Sequence, residues 1–270
     1  FCAYHNDAYP AGNGEMGVKT ADLKGRRMGQ DFVVKDGFRM YHGREVPGFP
    51  YHPHRGFETI TINKQGAVDH SDSLGATGRF KGGDVQWMTA GKGIQHSEMF
   101  PLLNDEKPNH LEIFQVWLNL PKADKFVDPH FKMLWKEDIP VVKETNTKGK
   151  SATVDLIAGD LGEKKAAKPT PNSWAATVDH HVRVLTVKIE SSAKWTLPAT
   201  DASADRNIYF YSGDKLIVDG LSIEKDHQVT LNADFDIVLE NKSEEDAFLL
   251  ILEGKPIGEP LAQHGPFVMN

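Results

Sequence analysis

Four residues in the first half of the chain have the types and spacing to hold a metal ion. His52-Pro53-His54 sets two imidazoles at i and i+2, and His96-Ser97-Glu98 sets an imidazole and a carboxylate at the same spacing. On a strand, residues two apart point to one face. If the two strands face each other inside a barrel, all four side chains converge on one point. Three neutral imidazoles and a carboxylate suit a borderline divalent ion: Fe(II), Mn(II), Ni(II), Cu(II) or Zn(II). Four protein ligands leave one or two positions of an octahedron open for water, substrate or dioxygen, which is the layout of a catalytic site. A closed structural zinc site more often uses thiolates, and this chain has one cysteine, Cys2.

Neither pair is informative alone. With 12 His in 270 residues, chance supplies roughly half an H-x-H. A second H-x-E, His110-Leu111-Glu112, reads as the ordinary, partly exposed start of a strand. Context separates the two pairs from the rest. The run Gly83-Asp84-Val85-Gln86-Trp87-Met88-Thr89-Ala90-Gly91-Lys92-Gly93 leads into the second pair. His180 and His181 are adjacent and would point to opposite faces of a strand. His70, His130, His227 and His264 stand alone, as solvated or structurally hydrogen-bonded rings.

The elements that position these residues read as strands. Phe57–Ile62, Ile113–Leu120, Val182–Ile189 and Ile208–Tyr211 are rich in β-branched and aromatic residues, which favour a pleated, half-buried surface. Turn clusters such as Gly75-Ala76-Thr77-Gly78 and Lys81-Gly82-Gly83-Asp84 lie between them. Many short strands with Gly-rich turns predict an all-β architecture, a barrel or sandwich, without long helices. The stretch Lys143–Ser151 has no apolar residue and reads as a linker. It divides the chain into 1–142, with the metal site, and 143–270, without one. The halves share a layout of strands but no alignable repeat.

Composition bounds the partners. A net charge of −7 and a pI near 5.9 argue against a nucleic-acid surface, which needs clustered Lys and Arg. No apolar run reaches the 18 residues of a membrane span. The amino terminus has no charged segment followed by an apolar block, so no signal peptide is expected; a chain starting at Phe1 makes that reading weaker than usual. A lone cysteine suits a reducing compartment, and the expected location is cytoplasmic, or nuclear in a eukaryote.

Two segments carry a family resemblance. Phe49–Thr59, reading FPYHPHRGFET, and Asp84–Met99, reading DVQWMTAGKGIQHSEM, closely resemble the pirin family of cupins. The likeness continues through Ile113–Leu120 and returns at Gln263–Asn270, QHGPFVMN; between about 143 and 260 it is one of layout only. The general cupin pattern has a proline near Gly91 and a carboxylate ligand near Glu58. Here glycine stands in place of the proline and Glu98 supplies the carboxylate, as in pirins.

The resemblance implies a bicupin of two stacked antiparallel β-barrels with one metal, usually iron, in the first. It assigns the ligands to His52, His54, His96 and Glu98, and it implies a further segment beyond Asn270. Some pirins resemble flavonol-cleaving dioxygenases, which implies a small aromatic substrate and dioxygen. Glu98 would then either act as the general base for an enol or catechol proton, or serve as a plain ligand. Other pirins resemble transcriptional co-regulators whose metal oxidation state alters a surface for a protein partner. Around the ligands, Glu58 could fix the tautomer of a ligand imidazole or pair with Arg55. Gln115 and Trp117 share a strand face and either line the site or simply pack. Trp87 and Met88 read as core, and Arg55 as a rim residue.

Overall fold

In the computed structural model residues 1–269 are described; Asn270, the end of the last matched segment, lies outside them. The four expected strands form, with ends shifted by up to four residues: Phe57–Gln65, Asn109–Asn119, Arg183–Ile189 and Asp205–Ser212. The two main sheets of the first unit take nine strands: β1 (Cys2–Tyr9), β2 (Gly48–His54), β3 (Phe57–Gln65), β4 (Ala67–Asp72), β5 (Thr77–Lys81), β6 (Val85–Thr89), β7 (Ile94–Met99), β8 (Asn109–Asn119) and β9 (His130–Leu134). They make two antiparallel sheets, β1-β8-β3-β6-β9 and β2-β7-β4-β5.

The apolar residues on the inner faces hold these sheets together. Tyr9, Leu111 and Ile113 from the larger sheet pack with Val68 and Phe80 from the smaller one, and Met40, Tyr41 and Phe100 join them from the connecting segments. Each such fully buried side chain contributes about 1.5–3 kcal/mol. β3 sits between β8 and β6 and is buried from Phe57 to Asn63. A strand covered on both faces tolerates the near-continuous apolar and β-branched run seen in its sequence.

The second unit is likewise all-β. A six-stranded sheet centres on Ser151–Ala158, Arg183–Ile189, Ala247–Gly254 and Asp205–Ser212, and a four-stranded sheet contains Lys194–Leu197 and Ile237–Glu240. Leu185, Val187, Leu249 and Ile251 from the larger sheet share one core with Trp195, Leu197 and Leu239 from the smaller. The only helical pieces among the described residues are 3₁₀ turns of three or four residues. None is long and apolar enough to cross a membrane.

Two expectations need adjustment. Among the described residues the backbone ladders of each unit form open sheets, and no ladder closes a barrel. The compact units also do not divide at 142/143. One comprises Phe1–Lys136 with the segment from Glu259 onward, and the other Glu137–Gly258. The polar run 143–151 is a turn at 146–150 flanked by ladder, since residues 141–145 pair with residues 151–155. An exposed edge strand needs few apolar side chains, so residues 143–145 have the same composition as the turn beside them. The final segment returns to the first unit because Val268 N–H donates to the Arg55 carbonyl at 3.0 Å. Buried Lys125 adds a clamp, its Nζ donating to the carbonyls of Gly56 (2.8 Å) and Val268 (3.2 Å) and to Asn119 Oδ1 (2.8 Å).

Candidate metal centre

β2 and β7 run antiparallel with His52 directly opposite His96 and with a register shift between Phe49 and His52. Such a shift re-aims side chains locally, and here His52, His54 and His96 all turn inward. A ring nitrogen from each lies within 4.8 Å of the other two. His54 and His96 are buried, whereas His52 is partly exposed. Glu98 also lies inside but stands back from the trio, its Oε2 3.8 Å from His96 Nε2.

The hydrogen bonds fix which ring nitrogens carry lone pairs. A carbonyl can only accept, so His52 Nδ1 donates to Pro50 O (2.8 Å) and His54 Nδ1 donates to Pro266 O (3.3 Å). With both rings neutral, as metal ligation requires, both Nε2 atoms are bare, and they face each other at 3.0 Å. Two lone pairs at that distance repel unless a cation lies between them. His96 presents the same demand: both of its ring nitrogens are buried without a hydrogen-bond partner, which costs about 1–3 kcal/mol for each unsatisfied group. The donor set therefore fits a borderline divalent cation. Backbone carbonyls orienting the second ring nitrogen are the usual support of a metal-ligating histidine.

Glu98 is held from the larger sheet. Thr61 Oγ1 donates to its Oε1 (3.1 Å) and Gln115 Nε2 to its Oε2 (2.8 Å). Trp117 Nε1 can only donate, and it donates to Gln115 Oε1 at 3.0 Å. That bond fixes the amide orientation and leaves the Gln115 NH₂ for the carboxylate. Gln115 and Trp117 thus border the site, one of the two readings left open by the sequence. Trp117 also meets the His54 ring edge-on, at 5.6 Å, and packs on Phe57 at 4.4 Å.

Glu58 is held by the neighbouring strand. It is fully buried and accepts from Trp87 Nε1 and Thr89 Oγ1, both at 2.9 Å. Those partners lie on β6, the neighbour of β3 away from β8, so its carboxylate ties strands together. Trp87 and Met88 are core, and Arg55 lies over the Phe126 ring, 4.7 Å from its centroid.

Sequence reasoning missed three participants. His70 does not stand alone: it is buried, its Nε2 bonds Asp72 Oδ2 at 2.9 Å, and its ring centroid lies 5.4 Å from that of His96. Cross-strand pairing of Asp72 with His96 brings this about, and no short-range pattern announces it. Thr61 gave no signal beyond strand propensity. Pro266 had one, since Gln263–Asn270 carried the resemblance, and its carbonyl on His54 supplies a physical reason. Gly56 serves the same contact: its φ is +82° and a Cβ there would collide with the Val268 carbonyl. Gly91 has φ +48°, which a proline cannot adopt, and a Cβ would strike the Val127 carbonyl.

Burial and the neighbouring rings depress two of these histidines. Desolvation, followed by the charges of His96 and His52, lowers the His54 pKa to about 3. Desolvation, with His52 and His70, lowers that of His96 to about 2. In an unfolded chain both titrate near 6.5. Below that pH the unfolded chain therefore binds protons that the folded, metal-free protein does not. Stability contributed by the neutral rings is complete above about pH 6.5 and falls as the pH drops, by up to about 1.4 kcal/mol per pH unit for each ring. The melting temperature of metal-free protein should decline between pH 7 and 4, and less steeply after His96→Phe. Parallel profiles for parent and variant would contradict these shifts.

Comparison with known proteins agrees with this geometry. The family model described as Pirin matches residues 15–118, and that described as Pirin C-terminal cupin domain matches residues 184–270. Human pirin is 36% identical over 245 residues, covering 88% of this chain and 76% of its own. Pirin-1 of Arabidopsis thaliana is 39% identical over 229 residues, covering 83% and 72%. The solved structure of a quercetin 2,3-dioxygenase from Acinetobacter baumannii matches with a TM-score of 0.71 at 33% identity, over 84% of this chain and 74% of that one.

Proposed function

The chain belongs to the pirin family, and from that premise we propose that it is a metal-dependent dioxygenase cleaving a flavonol or a related enol or catechol. In this reading the two units are the two cupin barrels of a bicupin, and the first holds one divalent transition metal, most readily Fe(II). His52, His54 and His96 would hold the ion, with Glu98 as the fourth ligand or as its close neighbour. The observation that carries the reading is the pair of bare Nε2 atoms at 3.0 Å beside a buried carboxylate. The named activity of the Acinetobacter baumannii relative supports the substrate class.

A bound divalent ion supplies Lewis acidity, which favours the anionic form of an enol oxygen. The remaining chemistry falls to the chain. Glu98 is poised to take the enol proton, because Gln115 and Thr61 hold both oxygens without supplying a countercharge. Partly exposed His52 marks the side from which a ligand enters. Trp117 and Phe57 supply aromatic surface beside His54 on which a flat substrate could rest.

The test is oxygen uptake with quercetin by protein loaded in turn with Fe, Mn, Ni, Cu and Zn. We expect turnover with at least one redox-active metal at one ion per chain, and none after chelation. Absence of uptake with every metal would overturn the enzymatic reading and leave the regulatory one.

A further inference from the structure

His5 on β1 lies on the Glu98 side of this centre and was singled out neither by motif nor by spacing. Its register partner is Ile113, and that of Ala3 is Gln115; Thr61 and Asn63 face the same two residues from β3. Direct cross-strand partners share a face, so His5 shares the site-facing side of the sheet with Gln115 and Thr61. Its ring lies 5.9 Å from that of Phe49, the register partner of Glu98.

A buried chain of hydrogen bonds sets its tautomer. Arg39 grips Asp7 at two points, Nε to Oδ1 at 2.9 Å and Nη2 to Oδ2 at 3.0 Å. Tyr41 gives its one hydroxyl proton to Asp7 Oδ2 at 2.6 Å. The 2.7 Å bond between Tyr41 Oη and His5 Nδ1 therefore has His5 as donor. That leaves His5 Nε2 with a lone pair and, among the described residues, no hydrogen-bond partner, on a residue that is only partly buried. Tyr41 is held for this at φ +56°, a backbone region that bulky side chains rarely adopt. Reciprocal backbone bonds with Asp31, both 2.9 Å, pin it there. Burial, then the Arg39 charge, lowers the His5 pKa to about 4 against the pull of Asp7 and Glu98. The ring is consequently neutral near pH 7.

We propose that His5 is a ligand-binding residue of this centre, its Nε2 accepting a hydrogen bond from a hydroxyl of the bound flavonol or catechol other than the one at the metal. This rests on the substrate class proposed above. A site built to receive a hydroxyl discriminates against analogues that lack it.

Zinc-loaded protein and two probes test this without turnover. Quercetin and 3-hydroxyflavone share the 3-hydroxy-4-keto group and differ in the remaining hydroxyls. The parent should bind quercetin about tenfold more tightly, the worth of one good hydrogen bond. His5→Phe should erase that preference with bound zinc unchanged, and His5→Gln, whose amide oxygen still accepts, should keep part of it. In the parent, the His5 Nε2 nitrogen resonance should report an unprotonated nitrogen and move on adding quercetin. No preference in the parent, or the same preference in the His5 variants, would overturn the assignment. Should His5→Phe not fold, His5→Gln and the nitrogen resonance decide. Binding that follows the expected pattern without oxygen uptake by any metal-loaded form would instead overturn the dioxygenase reading and leave His5 in place.

Discussion

His96→Ala should strip the protein of its metal. The variant removes the proposed ligand that is wholly buried and whose two ring nitrogens find no partner among the described residues. His52 and His54 would remain as a two-imidazole pair, with Glu98 held away by Gln115 and Thr61. Losing a supporting residue outside the coordination sphere commonly weakens a metal about 10–100-fold, so losing this ligand should exceed about a hundredfold. Elemental analysis should find metal near one per chain in the parent and under about a tenth in the variant. Stability gives an independent reading. Metal raises the parent's melting temperature because it binds only the folded form, and that rise should vanish in the variant. The metal-free forms should differ far less, since alanine deletes two unsatisfied nitrogens along with the packing of the ring. Unchanged metal content in His96→Ala would sink the proposed centre.

What could be read from the sequence depended on how local its cause was. Strand identity in β3 and β8 was legible because β-branched and aromatic residues favour the pleated backbone wherever they stand. The convergence of His52, His54 and His96 was legible through two i, i+2 pairs and a motif. Boundaries were less so. The strand at Val141–Thr145 hid behind exposed polar side chains, and the return of the final segment to the first unit depends on Arg55, Lys125 and Val268, far apart in the chain. Glu58 shows the limit of period-two reasoning. It was placed on the right strand, but its carboxylate reaches sideways to Trp87 and Thr89. His5 and His70 owe their positions to strand pairing and to partners that composition does not reveal.

Glu98→Gln should preserve the architecture of the site and abolish its turnover. The glutamine amide can keep its oxygen toward Gln115 Nε2 and turn its NH₂ toward Thr61, whose hydroxyl accepts as readily as it donates. Both bonds survive, so the buried network should not be left unsatisfied and the melting temperature should move little. The oxygen can still coordinate weakly, and the three imidazoles are untouched. Bound metal should therefore fall only in part. Proton transfer has no such refuge, because an amide cannot take a proton near neutral pH. Oxygen uptake with quercetin should fall by roughly 10²–10⁴, the range for a lost general base. Rates must be normalised to bound metal, or partial loss of the ion would be mistaken for loss of the base. Glu98→Asp supplies the contrast: it keeps a base but withdraws it by one methylene from Thr61 and Gln115, so it should lose less turnover than the amide and more melting temperature. Equal turnover per metal in the parent and in Glu98→Gln would remove Glu98 from proton transfer and leave it as a ligand alone.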